Sequence, residues 1–331
     1  MIRLFANAKY DFIGVRRYAY IVTGVLLTLG LIALIVRGLN YSVEFTGGTL
    51  IRVETKAPID MAQVRAGLNA QGIHGAEIQG FGGDRDYVIR ARTAKEGTDA
   101  DNTQETTGAV ASALDQVLGT GTYTIARTEA VGPKVGSELR QKALLAILLS
   151  FVAVLLYLAY RFEWRFGLAA VIATAHDILM TLGFIAVMNL EVSLVVVGAV
   201  LSMVGYSLND TIIIFDRVRE DLRKMRNVSF ADVLNSAVNE TLPRSVLTHG
   251  TTLATLGALA VFGGEVIRPF SLVMFFGVFT GTFSSIYIAS PVLLWIEQKW
   301  PGAAVKALGT RAPAARPGTG APASRKAQPV T

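Results

Sequence analysis

An acidic residue lies inside a long apolar segment of this chain. Residues 193–215 read SLVVVGAVLSMVGYSLNDTIIIF, with Asn209 and Asp210 towards the end of the run. A carboxylate at the centre of a bilayer costs about 2.5–3.5 kcal/mol on insertion scales. Such a residue normally faces a bundle interior or a wet cavity and marks a proton or ion path. Asp210 is therefore the first candidate for chemistry, as a carboxylate that gains and loses a proton.

Polar residues on three successive predicted spans form stripes at helical spacing. The span of the acid carries Ser202, Tyr206, Asn209 and Asp210. The span before it carries Thr174, Asp177 and Thr181, beside His176. The span after it carries Arg244, Thr248, Thr251, Thr252 and Thr255. Because lipid penalises exposed polar groups, we expect the three stripes to converge. The alternative, favoured for the serines and threonines, is a hydrogen-bonded seam between packed helices.

Arg244 supplies a second charge for this predicted proton relay. We expect it near the cytoplasmic end of its span, where snorkelling to the interface is the alternative role. If the guanidinium reaches Asp210, it favours the carboxylate anion, and its withdrawal lets the acid bind a proton. Protonation would then be coupled to helix rearrangement, with about 2.3 kcal/mol available per charge per 100 mV. Asp177 either joins the relay or serves as a structural partner for another helix.

Composition predicts a polytopic α-helical membrane protein. The chain has 331 residues, of which 52% are hydrophobic and 17% charged. Apolar runs near the length of about 20 residues that spans a bilayer lie at 18–36, 141–160, 166–188, 193–215, 246–262 and 270–295. The absence of cysteine excludes disulfides and thiolate metal sites. Its 3 histidines are not at metal-ligand spacing, so we expect no metal and no cofactor other than a proton gradient.

The distribution of lysine and arginine orients the predicted spans. Basic residues cluster in 1–17, at 161–165 and in 217–226, and they recur after the sixth span, whereas the opposite short loops hold few. The positive-inside rule therefore places both termini in the cytoplasm. This pattern also explains the net charge of +6 without nucleic acid. Span one lacks a convincing small-residue cleavage site, so we interpret 18–36 as a retained anchor.

The long loop between spans one and two, residues 37–138, is predicted to be a folded domain on the outer side. Helical spacing and the cap Asp60 predict helices at 60–71 and 106–118. Strands are predicted at 48–55, 77–81, 86–92 and 122–130. A turn at 82–84 joins the middle two strands. This β-α-β-β-α-β order favours a ferredoxin-like layer of helices on an antiparallel sheet, with another small α+β fold as the alternative.

The remaining segments complete the predicted organisation, in which 139–295 holds spans two to six. The cytoplasmic segment 216–244 is predicted to contain a membrane-surface amphipathic helix with a capping box at Ser229, or else a solvated connector. The tail, 296–331, is basic, Pro-, Ala- and Gly-rich, and predicted to be disordered. Span six carries a small-residue packing face at Gly277, Gly281 and Ser285. No hydrolase triad or phosphate loop is evident, so we predict that the chain is not an enzyme.

Several ordered motifs resemble the SecD/SecF family of the resistance-nodulation-division superfamily. NYSVEFTGGTLIRV follows span one, and VGPKVGSEL precedes span two. The most specific matches are GYSLNDTIIIFDRVRE and NETLPRSVLTHGTTL, which contain Asp210 and Arg244, and FGGEVIRPFSLVMFFGVFTGTFSSIYIASPV covers span six. His176 and Asp177 also match the family. The resemblance extends to about Trp295 and therefore covers nearly all of the chain.

The resemblance implies a role in protein export across the bacterial inner membrane. It implies a complex with SecD, association with the SecYEG channel, and contact with YajC and YidC. The assembly would act on an unfolded translocating polypeptide, in contact with membrane lipid, and use the proton-motive force for late steps of export. By motif, Asp210 would be the proton-responsive acid and Arg244 its basic companion. Six spans form half of the twelve-span arrangement of the superfamily.

Three residues depart from the family pattern, and two rival functions stay open. Glu44 stands where an aspartate is expected, His249 where a serine is more usual, and Pro269 where an aspartate is expected. We expect none of them to touch Asp210 or Arg244. One rival function is a proton-driven exporter of small molecules or lipids, which predicts a large apolar pocket. The other is a structural membrane chaperone, which predicts tolerance of neutral substitutions at both residues.

Overall fold

The computed structural model describes residues 9–73, 76–80, 84–91 and 99–308. In chain order the helices are α1 (Arg16–Arg37), α2 (Val43–Thr46), α3 (Met61–Ala70), α4 (Asp99–Leu118), α5 (Pro133–Arg161), α6 (Trp164–Val187), α7 (Leu194–Lys224), α8 (Phe230–Phe262), α9 (Gly264–Ser284), α10 (Ser290–Lys299) and α11 (Ala303–Leu308). The strands are β1 (Asn40–Tyr41), β2 (Gly48–Thr55), β3 (Glu77–Gly80), β4 (Asp86–Ala91), β5 (Tyr123–Val131) and β6 (Glu191–Val192).

Six helical spans of the described part are long and apolar enough to cross a membrane. They are α1, α5, α6, α7, α8 and the continuous run of α9 and α10, which a π-helical turn at Ser285–Ala289 connects. The six predicted spans are therefore confirmed as helices. Three of them (α6, α7 and the last) are about half buried within the chain, whereas α1, α5 and α8 are mostly exposed. The helix α6, the helix α7 and the run of α9 and α10 therefore form the centre of the bundle.

The domain between α1 and α5 has the predicted ferredoxin-like topology. Its sheet has the order β3-β4-β2-β5, and each neighbouring pair is antiparallel. Apolar residues of α3 and α4 pack on the sheet; they include Val64, Leu68, Val110 and Leu114. The Asp60 carboxylate accepts from the Ala62 N–H and caps α3 as predicted. The end of the predicted strand 77–81 and the glycines of the predicted turn lie outside the described residues.

The predicted cytoplasmic segment 216–244 is not a separate helix on the membrane surface. Its first part completes α7, and its second part belongs to α8, which continues through Pro243 into the fifth span. The apolar face is buried in the main core and comprises Phe230, Val233, Leu234, Ala237 and Val238. Because these apolar side chains are buried against other parts of the chain, contact with lipid is not required to shield them from water. The predicted capping box between Ser229 and Asp232 is confirmed.

The chain before α1 holds the N-terminal half of α8 in place. Asn235 and Asn239 of α8 bond to the backbone of Ile13 and Tyr10. Asp11 accepts hydrogen bonds from the Gly14 N–H and from Asn235, and these bonds hold the pKa of its carboxyl below its usual value. α8 is therefore anchored below Pro243, where the missing proline N–H interrupts the helical ladder.

The predicted disorder of the tail is wrong for its first part. Residues after Lys299 turn back and form α11, in which Leu308 is buried. Two bonds hold this turn: Gly302 N–H donates to the buried Glu297 carboxylate at 2.7 Å, and Asn227 N–H donates to the Leu308 carbonyl at 3.1 Å. The amino-acid composition of this segment does not indicate these tertiary contacts. Residues 309–331 lie outside the described part.

Candidate functional site

Asp210 lies on α7, facing α8, and its side chain is only partly hydrogen-bonded. The residue is 3% exposed. Its Oδ1 accepts from the Ser245 hydroxyl at 2.6 Å, whereas its buried Oδ2 has no hydrogen-bond donor among the described residues. A buried carboxylate with one free oxygen is costly as an anion, and a proton on that oxygen removes the charge without displacing Ser245.

Arg244 does not form an ion pair with Asp210, which was one of the two alternatives that the sequence left open. Its side chain is exposed at the surface of the chain, and no ion pair is formed by it within the described residues. It nevertheless lies within electrostatic range of the carboxylate. The direct contact is made by the next residue, Ser245, because the helical rotation between neighbours turns one side chain inward and the other outward. Sequence reasoning missed Ser245, which shares its helix face with His249 at i+4.

His249 belongs to the surroundings of Asp210, although it makes no hydrogen bond to that carboxylate among the described residues. Its Nδ1 lies 2.6 Å from the Ser245 carbonyl oxygen, and the ring is within electrostatic range of the Asp210 carboxylate. The Tyr206 ring packs edge-on against the imidazole at 5.3 Å between centroids. The Tyr206 hydroxyl is 2.7 Å from the Thr252 hydroxyl. His249, one of the three departures from the family pattern, therefore contacts Ser245, which donates a hydrogen bond to Asp210.

Asp177 occupies a separate and fully hydrogen-bonded site. It is 0% exposed. Its Oδ1 lies 3.0 Å from His176 Nδ1, and its Oδ2 accepts from the hydroxyls of Ser207 at 2.6 Å and Ser284 at 2.7 Å. His176 Nε2 in turn lies 2.7 Å from the Thr23 hydroxyl. This one carboxylate therefore links α6 to α1, α7 and α9.

The three predicted polar stripes do not converge on one site within this chain. Asp177 and Asp210 share no hydrogen-bond donor, since the hydroxyls they accept from are on different residues. The neighbouring Thr174 bonds to a carbonyl of its own helix, and the buried Thr181 hydroxyl has no partner among the described residues. Several residues of the stripes on α7 and α8 are exposed at the surface of the chain, namely Ser202, Asn209, Thr248, Thr251 and Thr255. The rotation of each helix about its own axis separates the exposed polar residues from the buried acids, and sequence periodicity alone does not determine this rotation.

The predicted packing face of span six lies against α7. A Cβ on Gly281 would be 2.8 Å from the Ser207 Cβ, and one on Gly277 would collide with Met203. The Ser285 hydroxyl is 2.8 Å from that of Thr211. The close helix approach brings Ser207 and Ser284 to Asp177, a function of these serines that sequence reasoning missed. Adjacent small residues in 281–285 were the available signal.

No group of three His, Cys, Asp or Glu residues in the described ranges could hold a metal ion. The two sites consist of carboxylates, hydroxyls and imidazoles, with His249 near Asp210 and His176 beside Asp177. Carboxylates and imidazoles are groups that can bind and release a proton.

Two family models match this chain. The family model described as "Protein export membrane protein SecD/SecF, C-terminal" matches residues 110–299. The chain belongs to the SecD/SecF family. The model of the "SecD/SecF GG Motif" matches residues 32–59, which include α2 and β2. This member of the SecD/SecF family is a multi-pass membrane protein, and its family is one of protein export.

Curated SecF proteins are similar over most of their length. The protein translocase subunit SecF of Gemmatimonas aurantiaca is 53% identical over 305 residues, which are 91% of this chain and 91% of that protein. The protein translocase subunit SecF of Pseudomonas aeruginosa is 40% identical over 287 residues, which are 87% of this chain and 91% of that protein. Within the SecD/SecF family, the chain thus resembles the SecF members.

Solved SecDF structures share the fold. The crystal structure of SecDF, a translocon-associated membrane protein from Thermus thermophilus, superposes with a TM-score of 0.77 at 32% identity over 89% of this chain. A SecDF structure in the super-membrane-facing form gives a TM-score of 0.64 at 34% identity over 91% of this chain. The chain spans 40% of each of those longer chains.

Proposed function

We propose that this chain is an accessory subunit of the Sec translocase and, together with SecD, uses the proton-motive force to drive late steps of protein export. The observation that carries the proposal is the buried, half-bonded carboxylate of Asp210 within a membrane span. When Oδ2 binds a proton, the buried charge disappears and α7 and α8 no longer need to solvate it. When the proton leaves, the anion needs a new partner.

The exposed Arg244 is a cation that can supply that partner. It follows Pro243, where the helical ladder of α8 is interrupted, so a small rotation of the upper half of α8 changes its distance from Asp210. Protonation of Asp210 would thus be coupled to a change between α7 and α8. Asn209, Tyr206 and Thr252 flank this junction. In this proposal Asp177 holds the bundle together and takes no part in proton transfer.

Contacts at the outer end of α7 can transmit the change to the ferredoxin-like domain. The Glu44 carboxylate accepts from the Leu194 N–H at 2.6 Å, at the first turn of α7. Arg90 of β4 pairs with Glu191 at 2.5 Å. β1 and β6 add a short parallel pairing between the same two regions. Movement of α7 would therefore move the domain, which lies on the periplasmic side in the proposed topology.

The proposal includes the setting of the chain. It lies in the bacterial inner membrane with both termini in the cytoplasm, as the arginine and lysine distribution supports. Its relatives in SecDF structures support SecD as the partner, and SecYEG, YajC and YidC complete the proposed assembly. The substrate is an unfolded polypeptide. The chain is not an enzyme and uses no cofactor, because the proton gradient supplies the energy.

Precursor processing in cells tests the proposal. The only copy of the gene carries Asp210→Asn, which keeps the acceptor for Ser245 and cannot ionise. A matched control carries Asp216→Asn on the same helix, where the exposed carboxylate pairs with Arg161 at 2.7 Å. We expect secretory precursors to accumulate with Asp210→Asn only, while both variants retain normal membrane levels and co-purify with SecD. Normal processing with Asp210→Asn would contradict the proposal.

A further inference from the structure

We propose that His249 is a second proton-binding residue, which receives the proton from the outer side and passes it to Asp210; this inference rests on the proposed function. The imidazole lies one helical turn beyond Ser245, on the outer side in the proposed topology. Beyond it follow the Tyr206 ring and the Thr252 hydroxyl. His249 therefore stands between Asp210 and a polar path towards the outer end of α8.

The hydrogen bonds of His249 determine which nitrogen can bind the proton. A carbonyl oxygen accepts only, so Nδ1, 2.6 Å from the Ser245 carbonyl, carries a hydrogen in both the neutral and the charged ring. Nε2 then holds the free lone pair, and it has no hydrogen-bond partner among the described residues. The proton forms an N–H bond at Nε2. On transfer this bond breaks and an O–H bond forms at the Asp210 Oδ2, so both groups return to neutral.

The groups around His249 can stabilise a positive charge on its imidazole during proton transfer. From α7 it faces the Asp210 carboxylate and the Tyr206 ring, whose phenol is an acceptable neighbour for an imidazolium. On its own helix the nearest charge is Arg244, which is exposed. The stretch 269–284 of α9 has no ionisable residue. Glu297 of α10 is already bound by Arg165 at 2.9 Å. Asp210 is thus the acceptor that can take the proton from His249.

Proton uptake by the complex with SecD, reconstituted in liposomes with a pH-sensitive dye inside, tests this inference. An acid-outside gradient is imposed on wild type and on His249→Asn, whose amide can keep the bond to the Ser245 carbonyl but cannot titrate. Thr251→Ala, on an exposed face of the same helix, is the matched control. We expect His249→Asn to take up protons about a hundredfold more slowly, the low end of what a positioned proton-transfer group contributes. The control stays within about twofold of wild type.

Chemical rescue separates proton transfer from packing. His249→Ala is also slow, and added imidazole restores part of its rate, because the free base replaces the missing side chain. A normal rate for His249→Asn, or a slow His249→Ala that imidazole does not restore, would overturn the inference. Asp210→Asn in the same assay separates the two proposals. If it conducts protons normally, the proposed function fails; if it is inactive while His249→Asn is normal, only the assignment of His249 fails.

Discussion

Two of the acids buried in the bundle, Asp177 and Asp210, are alike in burial and opposite in bonding. Asp177 has partners on both oxygens, two serine hydroxyls and a histidine. Asp210 has one donor, and its second oxygen has none among the described residues. A fully bonded carboxylate is stabilised as an anion and fixes its neighbours, whereas a half-bonded one can exchange a proton at little structural cost.

The difference teaches that a buried acid in a membrane bundle is not by itself a sign of proton chemistry. Asp177 collects donors from α7 and α9 and, through His176, reaches Thr23 on α1. Among the described residues, the side chain of Asp210 is hydrogen-bonded only to α8, whose upper half follows Pro243 and is mostly exposed. The site that can change its charge is therefore next to the element that can change its position. Four substitutions test this contrast, in order of their expected effect on stability.

Asp177→Ala should be the most destabilising change. It leaves the hydroxyls of Ser207 and Ser284 and the ring of His176 without their acceptor in a buried region, so we expect a loss of about 3–5 kcal/mol. Denaturant unfolding of the purified complex in detergent measures it, with the exposed Asp216→Ala as control. A loss below about 1 kcal/mol would show that Asp177 does not hold the bundle together.

Ser207→Ala should weaken the same site by less. It removes one of the two hydroxyls that bond to Asp177 Oδ2 and leaves Ser284 in place. A hydrogen bond to a charged group contributes about 2 kcal/mol, and we expect a loss of that size in the same unfolding experiment. Ser245→Ala is the counterpart at Asp210. If the two serines prove equally important for stability, the contrast between the sites is wrong.

Gly281→Ala should disturb Asp177 indirectly. The added methyl group would lie 2.8 Å from the Ser207 Cβ, so α9 must move away from α7 or Ser207 must shift. Overpacking of this kind costs about 1.5 kcal/mol. Gly250→Ala, where a Cβ would meet no atom within 4 Å, is the matched control and should be neutral or stabilising. Equal effects of the two glycine substitutions would mean that the α7–α9 contact is not tight.

Asp210→Asn should change stability least, although it abolishes proton-driven export. The amide oxygen still accepts from Ser245, and the loss of a buried charge offsets the gain of an unpaired amide, so we expect a change within about 1 kcal/mol. The same unfolding measurement checks this value. A loss of stability well above about 1 kcal/mol would show that Asp210 has a structural role like that of Asp177.

Most of the fold could be predicted from the sequence, because its signals are local. Apolar runs of bilayer length gave the six helices, and alternation and caps such as Asp60 gave the βαββαβ domain. The segment 216–244 and the tail were mispredicted for one reason. Both segments bond to residues far away in the sequence: Asn235 accepts from the Ile13 N–H, and the Leu308 carbonyl accepts from the Asn227 N–H. Composition does not indicate such partners.

The site could be predicted only as far as its acids. The penalty for a charge in lipid singles out Asp210 and Asp177, but it does not decide whether Asp177 joins the relay of Asp210 or is a structural partner. Which side chains face them depends on helix rotation and on the close approach that Gly281 permits. Sequence periodicity determines neither, and so it did not single out Ser245, the neighbour of Arg244 that donates to Asp210. His249 was set aside as a departure, although it shares that helix face.

Infrared difference spectroscopy of the complex tests the central claim most directly. A drop in pH protonates a buried carboxylate and creates a carbonyl stretching band, which substitution of the responsible residue removes. We predict that acidification produces one such band from the bundle, absent in Asp210→Asn and retained in Ser207→Ala. If the band persists in Asp210→Asn, or disappears in a folded variant of the Asp177 site, then Asp210 is not the proton-responsive acid and the assignment of the two sites must be reversed.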